Sequence, residues 1–197
     1  MAKGKTHSFK IRGSENNMEN KNIISNESLE KCLDDTNNRI IEISSEPDCT
    51  EYAKGHIPGA IMWFWKESLW HKTDRQFLTN SEMSDQLGQY GINNNQTIIL
   101  YSDRVQYGTY AFWVLSMCGH QNIKMLDGSR TDWMEKRLEV STETPIFSKC
   151  EYLEQPEDLS SRVGRENVKE NLFKKNRILL DVRSYEEYSG QRVKPEP

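Results

Sequence analysis

Cysteine and histidine are the residue types in this sequence best suited to nucleophilic or metal chemistry, and their spacing argues against both. They are spread along the chain as Cys32, Cys49, Cys118 and Cys150, with His7, His56, His71 and His120. No Cys-x-x-Cys pair occurs, and a zinc site requires clustered ligands. We therefore predict no metal and no cofactor, and we interpret the cysteines as reduced thiols of a cytoplasmic protein.

A loop between two apolar segments is the other place where chemistry could occur. The run "TIILY" (Thr97–Tyr101) is followed by the polar residues 102–108 and then by "TYAFWVL". A strand that feeds a loop at the start of a helix is where α/β proteins commonly bind ligands. This loop contains no cysteine, no histidine and no evident base, and a serine without a base is a poor nucleophile. We predict no catalytic residue in it.

Three short apolar runs predict buried strands, at residues 39–43, 97–101 and 122–126. The last run is closed by the turn dipeptide Asp127-Gly128. Strands that alternate with helices at this spacing indicate βαβ units. The predicted fold class is α/β, with a parallel β-sheet flanked by helices.

Start and stop signals place the helices between these runs. Thr79 stands three residues before Glu82, which is the spacing of a capping box and predicts a helix over residues 81–90. After the polar loop, an aromatic-rich segment that ends at Gly119 predicts a second helix. A third helix follows the last strand and places Trp133 for burial.

Charge and hydropathy argue against two classes of partner. Net charge is −4, with both signs mixed along the 197 residues, whereas nucleic-acid binding needs a concentrated basic face. Mean hydropathy is −0.83, and no apolar run approaches the roughly 18–20 residues of a spanning helix. We expect a cytoplasmic protein that binds neither nucleic acid nor a membrane.

Composition and an internal similarity divide the chain into four parts. Residues 1–25 are expected to be a disordered leader or added sequence ahead of a native start at Met18, with a transit peptide as the alternative. Residues 26–140 hold the predicted strands and helices, and residues 141–176 suit a linker with a short helix. The later stretch "RILLDVRSYEEY" repeats the pattern of "RIIEISSEPDCTEY". Residues 177–197 are therefore predicted to open a second, truncated repeat.

One combination of motifs resembles a known family. "GHIPGA" follows a strand with a carboxylate near its end, and "IILY" leads into a loop and a helix. "GHQNIKMLDG" and a tryptophan come next, in the order found in the rhodanese (thiosulfate sulfurtransferase) family. The chain resembles the tandem-domain type of that family, and "LLDVRSYEEYSG" is similar to the opening of its second domain.

The resemblance implies a covalent sulfur transfer and indicates where it would occur. In the family, the loop after the central strand holds a cysteine whose thiolate attacks thiosulfate, keeps one sulfur as a persulfide and passes it to an acceptor such as cyanide. The matching position here is Ser102, followed by Asp103, which implies the inactive loop of a non-catalytic first domain. No catalytic residue would then be present in this chain, and activity would require residues beyond Pro197.

The resemblance also implies one substrate-binding residue. Arg183 matches the arginine of the second domain's Asp-x-Arg motif, which helps to bind an anionic donor such as thiosulfate. The alternative is that Arg183 pairs with Asp181 or Glu187 and braces the end of a strand. The family's second domain packs on its first, so the tryptophans of "IMWFWKESLW" are expected to be core or interdomain contacts.

Two other functions compete with sulfur transfer. An inactive rhodanese-like binding or regulatory module would share every feature of the first domain. A phosphatase relative would need a Cys-x5-Arg loop, and "SDRVQYGT" has neither residue in place. We predict a sulfurtransferase-family protein that is inactive as this chain alone, with the binding module as the alternative.

Overall fold

The computed structural model describes residues 21–71 and 76–193. The chain divides into two compact units, Met1–Glu157 (unit 1) and Asp158–Pro197 (unit 2). Most of the predicted leader lies outside the described residues. Ile23–Ile24, within the predicted leader, form strand β1 and belong to the fold.

Unit 1 contains a sheet of parallel strands. They are β1 (Ile23–Ile24), β2 (Asn38–Ser44), β3 (Ile61–Phe64), β4 (Thr97–Tyr101) and β5 (Ile123–Leu126). In space the order is β1-β5-β4-β2-β3, so the clearest strand of the sequence lies at the centre. The predicted fold class, a parallel sheet flanked by helices, is confirmed.

Helices connect the strands across both faces of the sheet. They are α1 (Asn26–Glu30), α2 (Thr50–Lys54), α3 (Trp65–Leu69), α4 (Asn80–Gln89), α5 (Val105–Met117) and α6 (Arg130–Glu135). The last three lie where the sequence predicts them, whereas α1, α2 and α3 have only five residues each and no readable period. Among the described residues no helix is both long and apolar enough to cross a membrane.

Both faces of the sheet are buried, which explains why the strands are continuous apolar runs. Successive side chains of a strand point to opposite faces. Ile41 and Leu100 therefore enter the core beneath α4 and α5. Their neighbours Ile40 and Ile99 enter a second core, which Trp133 of α6 closes.

Two helices begin at capping boxes. At α4, the Thr79 hydroxyl accepts the Glu82 amide at 3.3 Å, and the Glu82 carboxylate accepts the Thr79 amide at 2.9 Å. At α6, Ser129 and Asp132 make the same reciprocal pair. The first box is the predicted one, and the second orients the helix that carries a buried arginine described below.

Residues 141–157, predicted as the first part of a linker, are bound to the surface of unit 1, and we call them the strap. Ser141 and His56 exchange two backbone hydrogen bonds of 2.9 Å, and the Cys150 amide donates to the Gly88 carbonyl at 3.0 Å. The Tyr152 hydroxyl lies 2.8 Å from Nδ1 of buried His120. The strap is therefore part of the first unit.

The tryptophans after "GHIPGA" lie in and beside the first core. Trp63 is fully buried. Trp65 and Trp70 are half-buried, with ring centroids 4.7 Å apart, and Trp70 Nε1 donates to the Tyr110 hydroxyl at 2.8 Å. Core packing, one of the two predicted roles, is confirmed for Trp63.

Unit 2 contains helices α7 (Arg165–Asn171) and α8 (Tyr185–Tyr188). The first is the short helix predicted before the repeat. Residues 178–182, predicted to form the strand that follows it, form no strand and no helix in the structure, and Ile178 is 93% exposed. A strand is stable beside another strand, and the described part of unit 2 offers none.

Candidate functional site

Ser102 follows the central strand and is buried in the turn before α5, with 5% of its surface exposed. Its hydroxyl donates to the Arg104 carbonyl at 2.8 Å and accepts the Gly108 amide at 3.2 Å. Both the proton and a lone pair of the hydroxyl are thus used inside the loop. Ser102 closes the loop and does not present a nucleophile.

Gly108 makes this closure possible. A Cβ atom at this position would lie 2.8 Å from the Met125 methyl group and 3.0 Å from the Ser102 hydroxyl oxygen. The first distance is shorter than real Cβ contacts, so a side chain here would displace the end of the Met125 side chain and crowd the Ser102 hydroxyl. Glycine allows the first turn of α5 to approach Ser102 closely enough for its amide to donate.

Asp103, the other predicted loop residue, binds a buried arginine. Arg130 Nη2 lies 2.5 Å from the Asp103 carboxylate, and Nη1 lies 3.2 Å from the Glu42 carboxylate. Glu51 stands further off, at 3.8 Å. Arg130 and Glu42 are 6% and 3% exposed, so this ion pair is formed inside the protein.

The Arg130 cluster is linked to the "GHIPGA" segment through Tyr101. The Tyr101 hydroxyl donates to the Glu42 carboxylate at 2.6 Å and accepts the Ile57 amide at 3.3 Å. Burial raises the pKa of Glu42, although the Tyr101 hydrogen bond and the Arg130 charge act in the opposite direction. Burial and the nearby Glu42 raise the pKa of Tyr101 well above its usual value. The tyrosine therefore acts here as a neutral hydrogen-bond bridge.

His56, the histidine of "GHIPGA", has a structural position. Its Nδ1 lies 2.9 Å from the Tyr52 carbonyl and its Nε2 lies 3.1 Å from the Glu143 carbonyl. The imidazole stacks on the Tyr52 ring with centroids 3.7 Å apart. Because both ring nitrogens face backbone carbonyls, His56 ties the strap to α2 and is not available as a base for Ser102.

Two cavities flank the loop. The larger, of about 510 Å³, is lined by Ser102 and by three carboxylates, Asp103, Asp127 and Asp132. The smaller, of about 70 Å³, lies on the other side of Asp103. The carboxylates and the cation that line it are Glu42, Glu46, Asp48, Glu51, Asp103 and Arg104. The surroundings of the loop are therefore predominantly acidic.

None of the cysteines lines either of the two cavities beside the loop. Cys118 is buried at the end of α5, and burial raises its pKa to about 11, which disfavours the reactive thiolate. Cys49 is exposed, and Cys32 and Cys150 are partly exposed. In the described residues there is no group of three or more histidine, cysteine, aspartate and glutamate side chains that could hold a metal ion.

Arg183 belongs to unit 2 and is paired with its neighbour. Its Nε lies 2.9 Å from Asp181 Oδ1 and its Nη2 lies 2.6 Å from Oδ2. This pairing lowers the pKa of Asp181 to about 2. The Arg183–Asp181 pair is the one expected if Arg183 braces the end of a strand, although residues 178–182 form no strand here. A role of Arg183 in donor binding stays a prediction.

Arg130 is the residue that reading the sequence missed. It stands at the first position of α6, where the helix dipole disfavours a positive charge. A cation at that position, directly after "LDGS", signals that carboxylates lie nearby. Glu42 precedes it by 88 residues, so the sequence could suggest a partner but not identify it.

Comparison with known proteins identifies the family of the first unit. A family model described as "Rhodanese-like domain" matches residues 25–136. The sulfur carrier protein TtuD of Thermus thermophilus is 31% identical over 173 residues, which cover 86% of this chain and 60% of that protein. A candidate thiosulfate sulfurtransferase of Saccharopolyspora erythraea is 36% identical over 151 residues, covering 76% of this chain and 53% of that protein. The chain thus spans little more than half the length of these relatives.

A solved structure shows the same fold at low identity. SseA from Escherichia coli, described as a 3-mercaptopyruvate sulfotransferase, superimposes with a TM-score of 0.75. The superposition covers 89% of this chain and 70% of SseA, at 17% identity. At that identity the likeness concerns the fold, and the chemistry has to be argued from the residues.

Proposed function

This chain belongs to the rhodanese-like domain family, and we propose on that premise that it is part of a tandem sulfurtransferase. Unit 1 is the non-catalytic domain, and the sulfur-carrying cysteine belongs to a second rhodanese-like domain that starts near residue 177. One observation carries this proposal: the Ser102 hydroxyl, at the position of the family's cysteine, is hydrogen-bonded within its own loop at both its proton and its oxygen.

The reaction of the whole protein follows from thiolate chemistry. A cysteine thiolate attacks the outer sulfur of thiosulfate, the sulfur–sulfur bond breaks, and sulfite leaves with the electron pair. The persulfide then gives its outer sulfur to a nucleophile such as cyanide, which forms thiocyanate and regenerates the thiolate. Ser102 cannot take this part, because its hydroxyl has no base beside it and is committed to Arg104 and Gly108.

Arg183 is the residue of this chain that we assign to donor binding. A planar guanidinium suits the oxygen face of a small sulfur oxyanion. In the structure Asp181 accepts hydrogen bonds from Nε and Nη2, while Nη1 has no partner among the described residues. We propose that the second domain, when complete, presents Arg183 to the donor with Asp181 holding its orientation.

The test is thiocyanate formation from thiosulfate and cyanide, measured for the 197-residue chain and for a protein extended by its second domain. We expect no turnover above a heat-killed control for the chain and clear turnover for the extended protein. In the extended protein, Ser102→Ala should leave turnover almost unchanged. Turnover by the chain alone, or a large loss with Ser102→Ala, would contradict the proposal. No turnover by the extended protein would favour the alternative, a rhodanese-like binding module.

A further inference from the structure

The acidic lining of the two cavities has a consequence for ligands. Cavities with low-dielectric walls focus the field of the charges that line them. The larger cavity, which leads to Ser102, is lined by Asp103, Asp127 and Asp132 and by no lysine, arginine or histidine. Asp132 is committed to the capping box and Asp103 to Arg130. Asp127 has no side-chain partner among the described residues.

The cavity on the other side of Asp103 adds further negative charge. Glu46 and Asp48 line it together with Glu51, and Arg104 is the cation in its lining. The charge of Glu51 is offset, because Glu51 pairs with Lys54 and lies 3.8 Å from the buried Arg130. Glu46 and Asp48 have no ion pair among the described residues, so their negative charges remain at the surface.

We infer that these carboxylates exclude anionic sulfur donors from the loop at residues 102–104. The loop would consequently stay closed to a dianion such as thiosulfate even with a cysteine at position 102. The missing thiol and the acidic lining are thus two separate barriers in unit 1. This inference rests on the proposed function, because an anion barrier matters only where a sulfur donor would otherwise arrive.

Two alkylating reagents of nearly equal size distinguish electrostatic exclusion from steric exclusion at position 102. Iodoacetamide is neutral and iodoacetate is an anion, and each is attacked by a thiolate at its CH2 carbon with loss of iodide. In the variant Ser102→Cys, both reagents react with the same thiolate through the same opening. The thiolate fraction and the steric access therefore cancel in the ratio of the two alkylation rates. We expect this ratio to favour iodoacetamide at least about tenfold more in the folded protein than in the urea-unfolded chain. Peptide mapping by mass spectrometry assigns each rate to its cysteine.

A second reporter covers the case in which Ser102→Cys fails to fold. Val105 lines the same cavity and is 69% exposed, so Val105→Cys places a thiol at the rim without disturbing the core. The same preference for iodoacetamide is expected there. It should shrink in 1 M salt, where the screening length is about 3 Å.

Charge-neutral variants identify the residues responsible. Asp127→Asn, Glu46→Gln and Asp48→Asn together should return the ratio toward that of the unfolded chain, while leaving the Arg130 cluster intact. The matched control changes Asp85, Glu151 and Glu154 to their amides. Asp85 and Glu151 line a different cavity, beside Gly88. Ser102 does not line that cavity, so these changes alter the net charge equally without altering the surroundings of Ser102.

Two outcomes would overturn the inference. One is a ratio that the first set of substitutions leaves unchanged or that the control set changes equally. The other is a Ser102→Cys thiol that neither reagent reaches in the folded protein, because the barrier would then be steric. Neither outcome touches the thiocyanate assay of the extended protein, so failure of this inference and failure of the proposed function are distinguishable.

Discussion

At the scale of single residues, Ser102 and Arg130 show how the loop after the central strand is held closed. The serine supplies one donor and one acceptor that complete the turn. The arginine binds the next residue of the loop, Asp103, and also the strand residue Glu42. Both interactions lie in the loop after the central strand, and both stabilise it without giving it a nucleophile.

The pH dependence of stability should reveal the burial of Glu42. Its pKa is raised above the ordinary 4.5, so its contribution is present below pH 4.5 and is lost as pH rises through the folded pKa. The stability of the wild type relative to Glu42→Gln should therefore fall as pH rises above 4.5. Urea unfolding at a series of pH values measures this difference.

Asp132 provides a control of the opposite sign. Hydrogen bonds from Ser129 lower its pKa below the ordinary 3.8. Its contribution is present above pH 3.8 and is lost as pH falls through the folded pKa. The free energy of unfolding of the wild type, relative to that of Asp132→Asn, should therefore fall only in acid.

The prediction for Glu42 is contradicted if the free energy of unfolding of the wild type, relative to that of Glu42→Gln, grows as pH rises. Pairing with Arg130 would then outweigh the cost of burial.

Thiol reactivity should distinguish the cysteines of unit 1. Cys118 is buried and its pKa is about 11, whereas Cys49 is exposed. Since the thiolate is the reactive form, iodoacetamide should label Cys49 in the native protein and Cys118 only after unfolding. Equal labelling of both in the native state would reopen Cys118 as a candidate sulfur carrier.

At the scale of elements, the strap explains a glycine within a helix. Gly88 lies in α4, where alanine is ordinarily favoured by about 1 kcal/mol. A Cβ atom at Gly88 would stand 2.6 Å from the Cys150 carbonyl oxygen of the strap. The close approach of two backbones therefore excludes a side chain there.

Gly88→Ala should consequently destabilise unit 1, by about 1–3 kcal/mol, as overpacking does elsewhere. Urea unfolding measured by tryptophan fluorescence tests this. Gly164→Ala is the control, because no atom lies within 4 Å of that position, and it should leave unit 1 unchanged. A stabilised Gly88→Ala variant would mean that the strap detaches at little cost.

The helix and strand predictions succeeded where periodicity and end signals agree. The helix predicted over residues 81–90 is Asn80–Gln89, and the strand predicted at residues 97–101 has the same bounds in the structure. Residues 178–182, predicted as a strand, form none in this chain, where the described part of unit 2 has no neighbouring strand. Local propensity describes what a segment can form, and pairing decides whether it does.

At the scale of the whole molecule, the described part of unit 2 contains no buried side chain. Most of its apolar side chains are exposed, among them Phe173 at 94% and Val182 at 87%. We expect the amides of residues 178–182 to exchange rapidly with solvent in this chain and to be protected in the extended protein, where a second sheet can pair with them. Hydrogen exchange with mass spectrometry measures both, with β4 as the protected reference.

Equal exchange of residues 178–182 in the two proteins would contradict the assignment of these residues to a second domain. Slow exchange of these amides in the 197-residue chain would also contradict the prediction, because it would require strand pairing that the described part of unit 2 does not show. Protection only in the extended protein would support the predicted repeat.

By itself, the sequence determined the fold class and the order of the main strands and helices, and it predicted the loop proposed for the family's chemistry. Those features depend on the spacing of apolar residues, on helix-capping residues and on turn residues, which all act between residues close together in the sequence. Only the tertiary structure decided that the Ser102 hydroxyl is used within its loop, that Arg130 joins Asp103 to Glu42, and that the strap lies against Gly88. Each of these contacts depends on how the chain packs in space, and local periodicity and capping signals do not specify that packing.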